Sequence, residues 1–290
     1  KGRGIRLFLA GGKGINRMDA SQEQQTELDD FRIDLPDPTA DEIRRQPRVD
    51  NPADPDALPL LIEAAGTRIG VGRAGPRPRT ASLLLFHGDY AVTQDALYRE
   101  IDQDLLDEFN LFTVQTEITG GKEQYLLRPD LGRRLSAEAK QTLAATCVHN
   151  PDLQIVVGDG LSAAAIEANL VEMLLAIQHE AVAAGMRVGT PFHVRYCRVG
   201  VMNDIGELLQ PDVLILLIGE RPGLGRANSM SAYMGYKPRR GKTDADRDVI
   251  SNIFAQGGTD PRAAAKSVVA LAQKMRRHRA SGVQLKLATQ

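Results

Sequence analysis

The stretch "DVLILLIGERPGLGRANS", residues 212–229, joins an unbroken apolar run from Val213 to Ile218 to a loop containing Gly219, Gly223 and Gly225. A short continuous apolar run bounded by turn residues has the pattern of a strand buried on both faces, as in a parallel sheet. A strand of that kind that empties into a glycine-rich loop presents backbone to a ligand in many α/β proteins. Glu220 and Pro222, however, stand where a phosphate-binding loop needs N–H donors. The loop asks for another kind of ligand.

Working outward from this strand, the chain alternates strand and helix from Pro151 onward. "LQIVV" (153–157) reads as a buried strand and "GDGLS" (158–162) as a turn. Ile166, Leu170, Met173, Ile177 and Ala181 then share one helical face until Gly185 ends the helix. "FHVRYCRV" (192–199) reads as a strand, the segment near "IGELL" as a short helix, and "SAYMGY" as an outer strand. The linker "KPRRGKTDADRD" precedes two expected closing helices separated by "GGTDP", the second carrying Val268, Ala272 and Met275. Strands separated by helices predict an α/β fold with a Rossmann-like, doubly wound, mainly parallel sheet over residues 151–290. Ligands of such sheets lie beyond the carboxyl ends of the strands.

Residues 60–150 read as a smaller, mostly helical region with two basic loops, "GRAGPRPRT" (Arg73, Arg77, Arg79) and "RPDLGRR" (Arg128, Arg133, Arg134). Its last helix carries Leu135, Ala139, Leu143 and Cys147 behind Asp130, read as the N-cap. Such arginines are either solvated in surface pairs or placed at a subunit interface, where the planar guanidinium pairs bidentately. Residues 1–59 form the remaining segment. Residues 1–17 read as a leader outside the fold, with Met18 as the natural start. From Asp19 to Pro59 an acidic, proline-rich arm follows, expected to be flexible, with prolines 36, 38, 47, 52, 55 and 59 breaking any regular element.

Composition narrows the function. The 290 residues carry 36 basic and 37 acidic side chains for a formal net charge of −1, and aromatic residues make up 4% with no Trp. That scarcity argues against the stacking platforms that hold single-stranded nucleic acid. No apolar run approaches the roughly 18–20 residues of a membrane helix. Cys147 and Cys197 form no framework or metal motif, which favours a reducing cytoplasm, with a disulfide between them left open. The five histidines are scattered and no GxSxG elbow occurs, so no metal site and no catalytic residue is assigned.

The two strand-end loops, "VVGDGLS" and "LIGERPGLG", fit neither GxxxxGK[ST] nor GxGxxG, and Asp159 would sit among the amides meant for a pyrophosphate. Each loop also has a plain reading, in which the glycines permit tight turns, Glu220 is solvated, and Asp159 or Ser162 caps the next helix. Two acid-bearing loops together favour a neutral ligand rich in N–H donors, such as an amide-decorated cofactor. Asp159, Gly160 and Ser162 are candidate contacts on this ground of sheet topology.

The segments "GRAGPRPRT", "RPDLGRRL", "NPDLQIVVGDGLS", "VGTPFHVRYCRV", "IGELL", "LIGERPGLG", "DRDVISNIFAQGGTDP" and "AAAKSVVALAQKM" occur in this order over about residues 68–283. They closely resemble the small (light) subunit of ethanolamine ammonia-lyase. The resemblance implies an adenosylcobalamin-dependent enzyme that converts ethanolamine to acetaldehyde and ammonia. It also implies a TIM-barrel large subunit that holds ethanolamine and most catalytic groups, while the small subunit lies against the corrin. Cobalamin contacts carry over to Val199, Glu220 and Val249, the last departing from the cysteine of the family. No DxHxxG occurs, and the resemblance implies that dimethylbenzimidazole stays on cobalt. The expected location is the cytoplasm, including the interior of a bacterial microcompartment. Two other readings stay open: an autonomous nucleotide-dependent enzyme, and a pure assembly protein that docks through its acidic arm.

Overall fold

A computed structural model describes residues 40–65, 68–224, 227–255 and 257–289. The expected leader, most of the acidic arm, and Gly225 lie outside these residues. The described chain divides into two compact units at Ser82/Leu83.

The first unit contains helix α1 (Asp41–Arg44) and helix α2 (Ala57–Ala64). The prolines therefore do not exclude regular structure from this part of the arm. Pro47, Pro52 and Pro55 fall between the helices, and Pro59 falls in the first turn of α2, where a missing N–H costs no helical hydrogen bond. "GRAGPRPRT" forms a hairpin of β1 (Arg73–Ala74) and β2 (Arg77–Pro78), paired antiparallel. Its turn begins at Gly75, whose φ of 59° is the left-handed backbone that favours glycine.

Helix α3 (Thr80–Tyr98) begins just before the boundary, and in the second unit α4 (Gln103–Glu108) precedes β3 (Thr113–Gln115), α5 (Gly121–Leu127) and α6 (Ala137–Thr146). Then come β4 (Leu153–Gly158), α7 (Ala163–Ala183), β5 (Phe192–Arg195), α8 (Met202–Leu209) and β6 (Val213–Gly219). Strands β7 (Met230–Tyr236) and β8 (Arg247–Ile253) and helices α9 (Pro261–His278) and α10 (Gly282–Leu287) complete the chain. One six-stranded sheet runs β3-β5-β4-β6-β7-β8. The first four strands are parallel, and β7 and β8 add an antiparallel ribbon.

The α/β, mainly parallel architecture is as expected, and β3 draws residues 113–115 into the same sheet. Every residue of β6 is buried, because helices cover both sheet faces at that point. On one face Ile155, Val157, Ile215 and Leu217 pack with α7 and α9. On the other, Val156, Leu214 and Leu216 pack with α6 and α8.

Three local expectations are corrected. The segment after "KPRRGKTDADRD" is strand β8 and not a first closing helix; Ile250 and Ile253 turn toward the core, and Asn252 at φ 56° is incompatible with a helix. "SAYMGY" is consequently the penultimate strand, with β8 at the edge. Ser136, not Asp130, caps α6: its Oγ accepts the Ala139 N–H at 3.0 Å, while Asp130 makes no capping bond. Both cysteines are free and buried. No described helix is long and apolar enough to cross a membrane.

Candidate functional site

The carboxyl ends of β4 and β6 are locked together by backbone. A Cβ on Gly160 would lie 2.3 Å from Gly219 O, and one on Gly219 would lie 2.0 Å from Ser162 O. Gly219 therefore lets two loops pack against each other at the strand ends. Gly160 also takes φ 58°, a second reason for glycine there.

Asp159 holds this junction from below. Its carboxylate is buried and accepts the N–H groups of Gly160, Tyr196 and Cys197, each at 2.8 Å. Amides that a pyrophosphate would need are thus already taken. Lys122 supplies a nearby cation, its Nζ donating to Gly160 O at 3.3 Å. Burial pushes the lysine pKa down, against the opposing pull of Asp159. Ser162 caps α7 by accepting the Ala165 N–H at 3.2 Å, and its hydroxyl donates to Ala227 O. Asp159, Gly160 and Ser162 therefore come together, but as the internal support of the strand ends.

Above this support the chain continues to Glu220, whose N–H donates to Ser229 O at 3.1 Å and closes the loop. On its far side, Thr93 Oγ1 of α3 donates to Gly223 O at 3.2 Å. Tyr233, a residue that sequence reasoning passed over, links the three remaining candidates. It stands opposite Val249 in the β7/β8 ladder, and it hydrogen-bonds with Glu220. With Val199 it lines a cleft of about 900 Å³. Burial pushes the Tyr233 phenol above its usual pKa, and the Glu220 charge adds to this. The only sequence signal for Tyr233 was strand alternation: Ala232 and Met234 face the core with α9, so Tyr233 faces the other way.

That other way is open. Helices α6 and α8 cover the parallel strands, but over the β7–β8 ribbon Val249 is 48% exposed and Tyr233 only partly buried. Val199 begins a 3₁₀ turn, Val199–Val201, that leads into α8 at the border of this open floor. No histidine lines the cleft. The arrangement offers apolar contact, a carboxylate and phenol oxygen that accept hydrogen bonds, and a concave basic border. The apolar floor and its acceptors suit a flat ligand that carries N–H donors, and the basic border suits an anionic group.

A family model described as ethanolamine ammonia-lyase light chain (EutC) matches residues 55–286. The chain belongs to the ethanolamine ammonia-lyase light-chain family. The match takes in the whole sheet and all six candidate residues, and it extends the resemblance toward the N-terminus to include α2. A light chain of this lyase implies a larger partner subunit. The basic loops relate to this only in part. Arg128 pairs with Asp130 at 2.8 Å, Arg134 with Glu117 at 3.1 Å, and Arg79 with Asp50, which are surface pairs of small worth.

Proposed function

We propose that this chain forms one wall of an adenosylcobalamin site in an ethanolamine ammonia-lyase. A larger TIM-barrel subunit completes the site, holds ethanolamine, and is required for conversion of ethanolamine to acetaldehyde and ammonia. The observation that carries the reading is the open floor of Tyr233 and Val249, bordered by Val199 and Glu220. When bound, the cofactor supplies the radical chemistry.

The residues of this chain position and shield. Glu220 and the Tyr233 oxygen accept N–H bonds from corrin carboxamides. Val199 and Val249 give apolar contact and keep water from the ring. Val249 in place of the family cysteine keeps a backbone or van der Waals contact and loses a thiol contact. Asp159, Gly160 and Ser162 act one layer deeper, by fixing the loop that carries Glu220. The family resemblance implies that dimethylbenzimidazole would stay on cobalt. Nitrogen hyperfine coupling from labelled benzimidazole, observed by electron paramagnetic resonance, is the expected signature; coupling from protein histidine alone rejects that detail.

Titration of cobalamin into the isolated chain, and into the chain with its larger partner, tests the whole reading. Tight capture only with both chains is the expected result. ATP or NAD binding by the isolated chain would support the nucleotide-enzyme reading instead. Absence of corrinoid binding by the complete assembly would leave only an assembly role.

A further inference from the structure

The cleft beside Val199 is rich in cations, most of which have carboxylate partners. Lys140 lies 3.0 Å from Asp204, Arg134 3.1 Å from Glu117, Lys242 2.7 Å from Asp246, Arg247 2.5 Å from Asp244, and Arg240 3.8 Å from Glu207. Arg133 and Arg198 also line the cleft, and among the described residues neither has a carboxylate at ion-pair distance.

These two side chains flank one short piece of backbone. Arg198 packs on the Tyr125 ring at 4.2 Å and donates from Nη2 to Tyr125 O at 3.1 Å. Its Nε is buried with no acceptor among the described residues, which leaves the remaining guanidinium N–H groups to meet a ligand in the cleft. The stem of Arg133 lies over Gly200, where a Cβ would come within 2.8 Å of Arg133 Cγ. Between them the chain enters the helical turn at Val199, and no side chain caps that start. Two guanidinium groups without carboxylate partners on one wall of the cleft make an oxyanion site.

We infer that Arg133, Arg198 and the turn at Val199–Gly200 hold the phosphodiester of the cofactor's nucleotide tail. This rests on the cobalamin reading above. The corrin periphery carries neutral carboxamides, so the phosphodiester is the one anionic group on the periphery that calls for paired arginines. The site adjoins Val199, which is also a corrin contact, so wall and anion site form one surface.

The test uses the full chain assembled with its larger partner, and two ligands: cyanocobalamin, and dicyanocobinamide, which has the corrin without the phosphodiester and benzimidazole. Arg133→Gln and Arg198→Gln are each expected to weaken cyanocobalamin binding about 10-fold or more, the scale of one hydrogen bond to a charged group. Cobinamide affinity is expected to stay within about 2-fold of the parent assembly. Inorganic phosphate should compete with cyanocobalamin in the parent and less in the variants. Arg133 is exposed, so Arg133→Gln carries the test even if Arg198→Gln, which unpacks Tyr125, fails to fold. Equal losses for both corrinoids, an unchanged cyanocobalamin affinity in Arg133→Gln, or dissociation of the two chains overturns the phosphodiester assignment alone. A parent assembly that binds neither corrinoid overturns the cobalamin reading with it.

Discussion

Tyr233 and Val249 face each other across the antiparallel ladder at the outer end of the sheet, and Glu220 hydrogen-bonds with the same tyrosine. A strand-end acid is thereby coupled to the exposed floor without supporting the core. Glu220→Ala is expected to leave the melting temperature nearly unchanged. Cobalamin affinity of the assembled enzyme should fall about 10-fold, for a lost charge-assisted hydrogen bond of about 1.5 kcal/mol. Ultraviolet titration should also show the Tyr233 phenol returning part of the way to its usual pKa, since Glu220 is the largest influence after burial. A collapsed melting temperature with unchanged affinity would make Glu220 a structural residue.

Asp159 is expected to behave in the opposite manner. Its carboxylate satisfies three buried N–H groups and lies near the buried Lys122. Asp159→Ala leaves those donors without an acceptor and should cost about 3 kcal/mol or more in urea unfolding. Asp159→Asn keeps one acceptor oxygen and should cost less. If Asp159→Asn retains full stability while cobalamin affinity falls, the residue touches the cofactor directly and the supporting role is wrong.

The contrast between these two acids shows what the sequence revealed. β4, β6 and α7 were legible because burial on both faces writes an unbroken apolar run, and a long amphipathic helix repeats its stripe several times. β8 was not: it is an edge strand with one wet face, and its two core contacts, Ile250 and Ile253, leave too few positions for a period to emerge. Glu220, Val199 and Val249 were reached through motif resemblance, whereas Tyr233 connects them through pairing between strands that no local pattern records. Asp159 was located at the correct loop but given a ligand; its partners Tyr196 and Cys197 lie on another strand's end, so only the fold reveals that the carboxylate is already engaged. The plain reading of Ser162 as a helix cap was correct.

Arg77 lies on the exposed β2 arm of the hairpin, stiffened by Pro76 and Pro78. A rigid loop loses little entropy on docking, and arginine is enriched at interfaces. Arg77→Ala is expected to weaken association with the larger subunit, seen as a shift toward slower species in sedimentation velocity at micromolar concentration. The melting temperature of the isolated chain should be unaffected. Equal sedimentation of variant and parent mixtures at every concentration counts against the interface.

His193 makes a pH prediction. Its Nδ1 lies 3.1 Å from Thr113 Oγ1, and its Nε2 is buried without a partner among the described residues. Burial pushes the ring pKa down to about 4 from the ordinary 6.5, with Asp159 opposing and Arg195 assisting. In the folded chain the ring is neutral at pH values where an unfolded chain binds a proton. Stability is therefore full above about pH 6.5, falls as pH is lowered from there toward about 4, and is flat below that. The whole window amounts to about 3 kcal/mol at about 1.4 kcal/mol per pH unit. His193→Gln removes the titration, while every carboxylate contributes equally to both proteins and cancels in the comparison. Urea unfolding at pH 7.5 and 5.0 should show the parent losing about 2 kcal/mol more than the variant. Matching pH slopes for the two proteins would mean that the ring titrates alike in the folded and unfolded chains, and that burial does not depress its pKa.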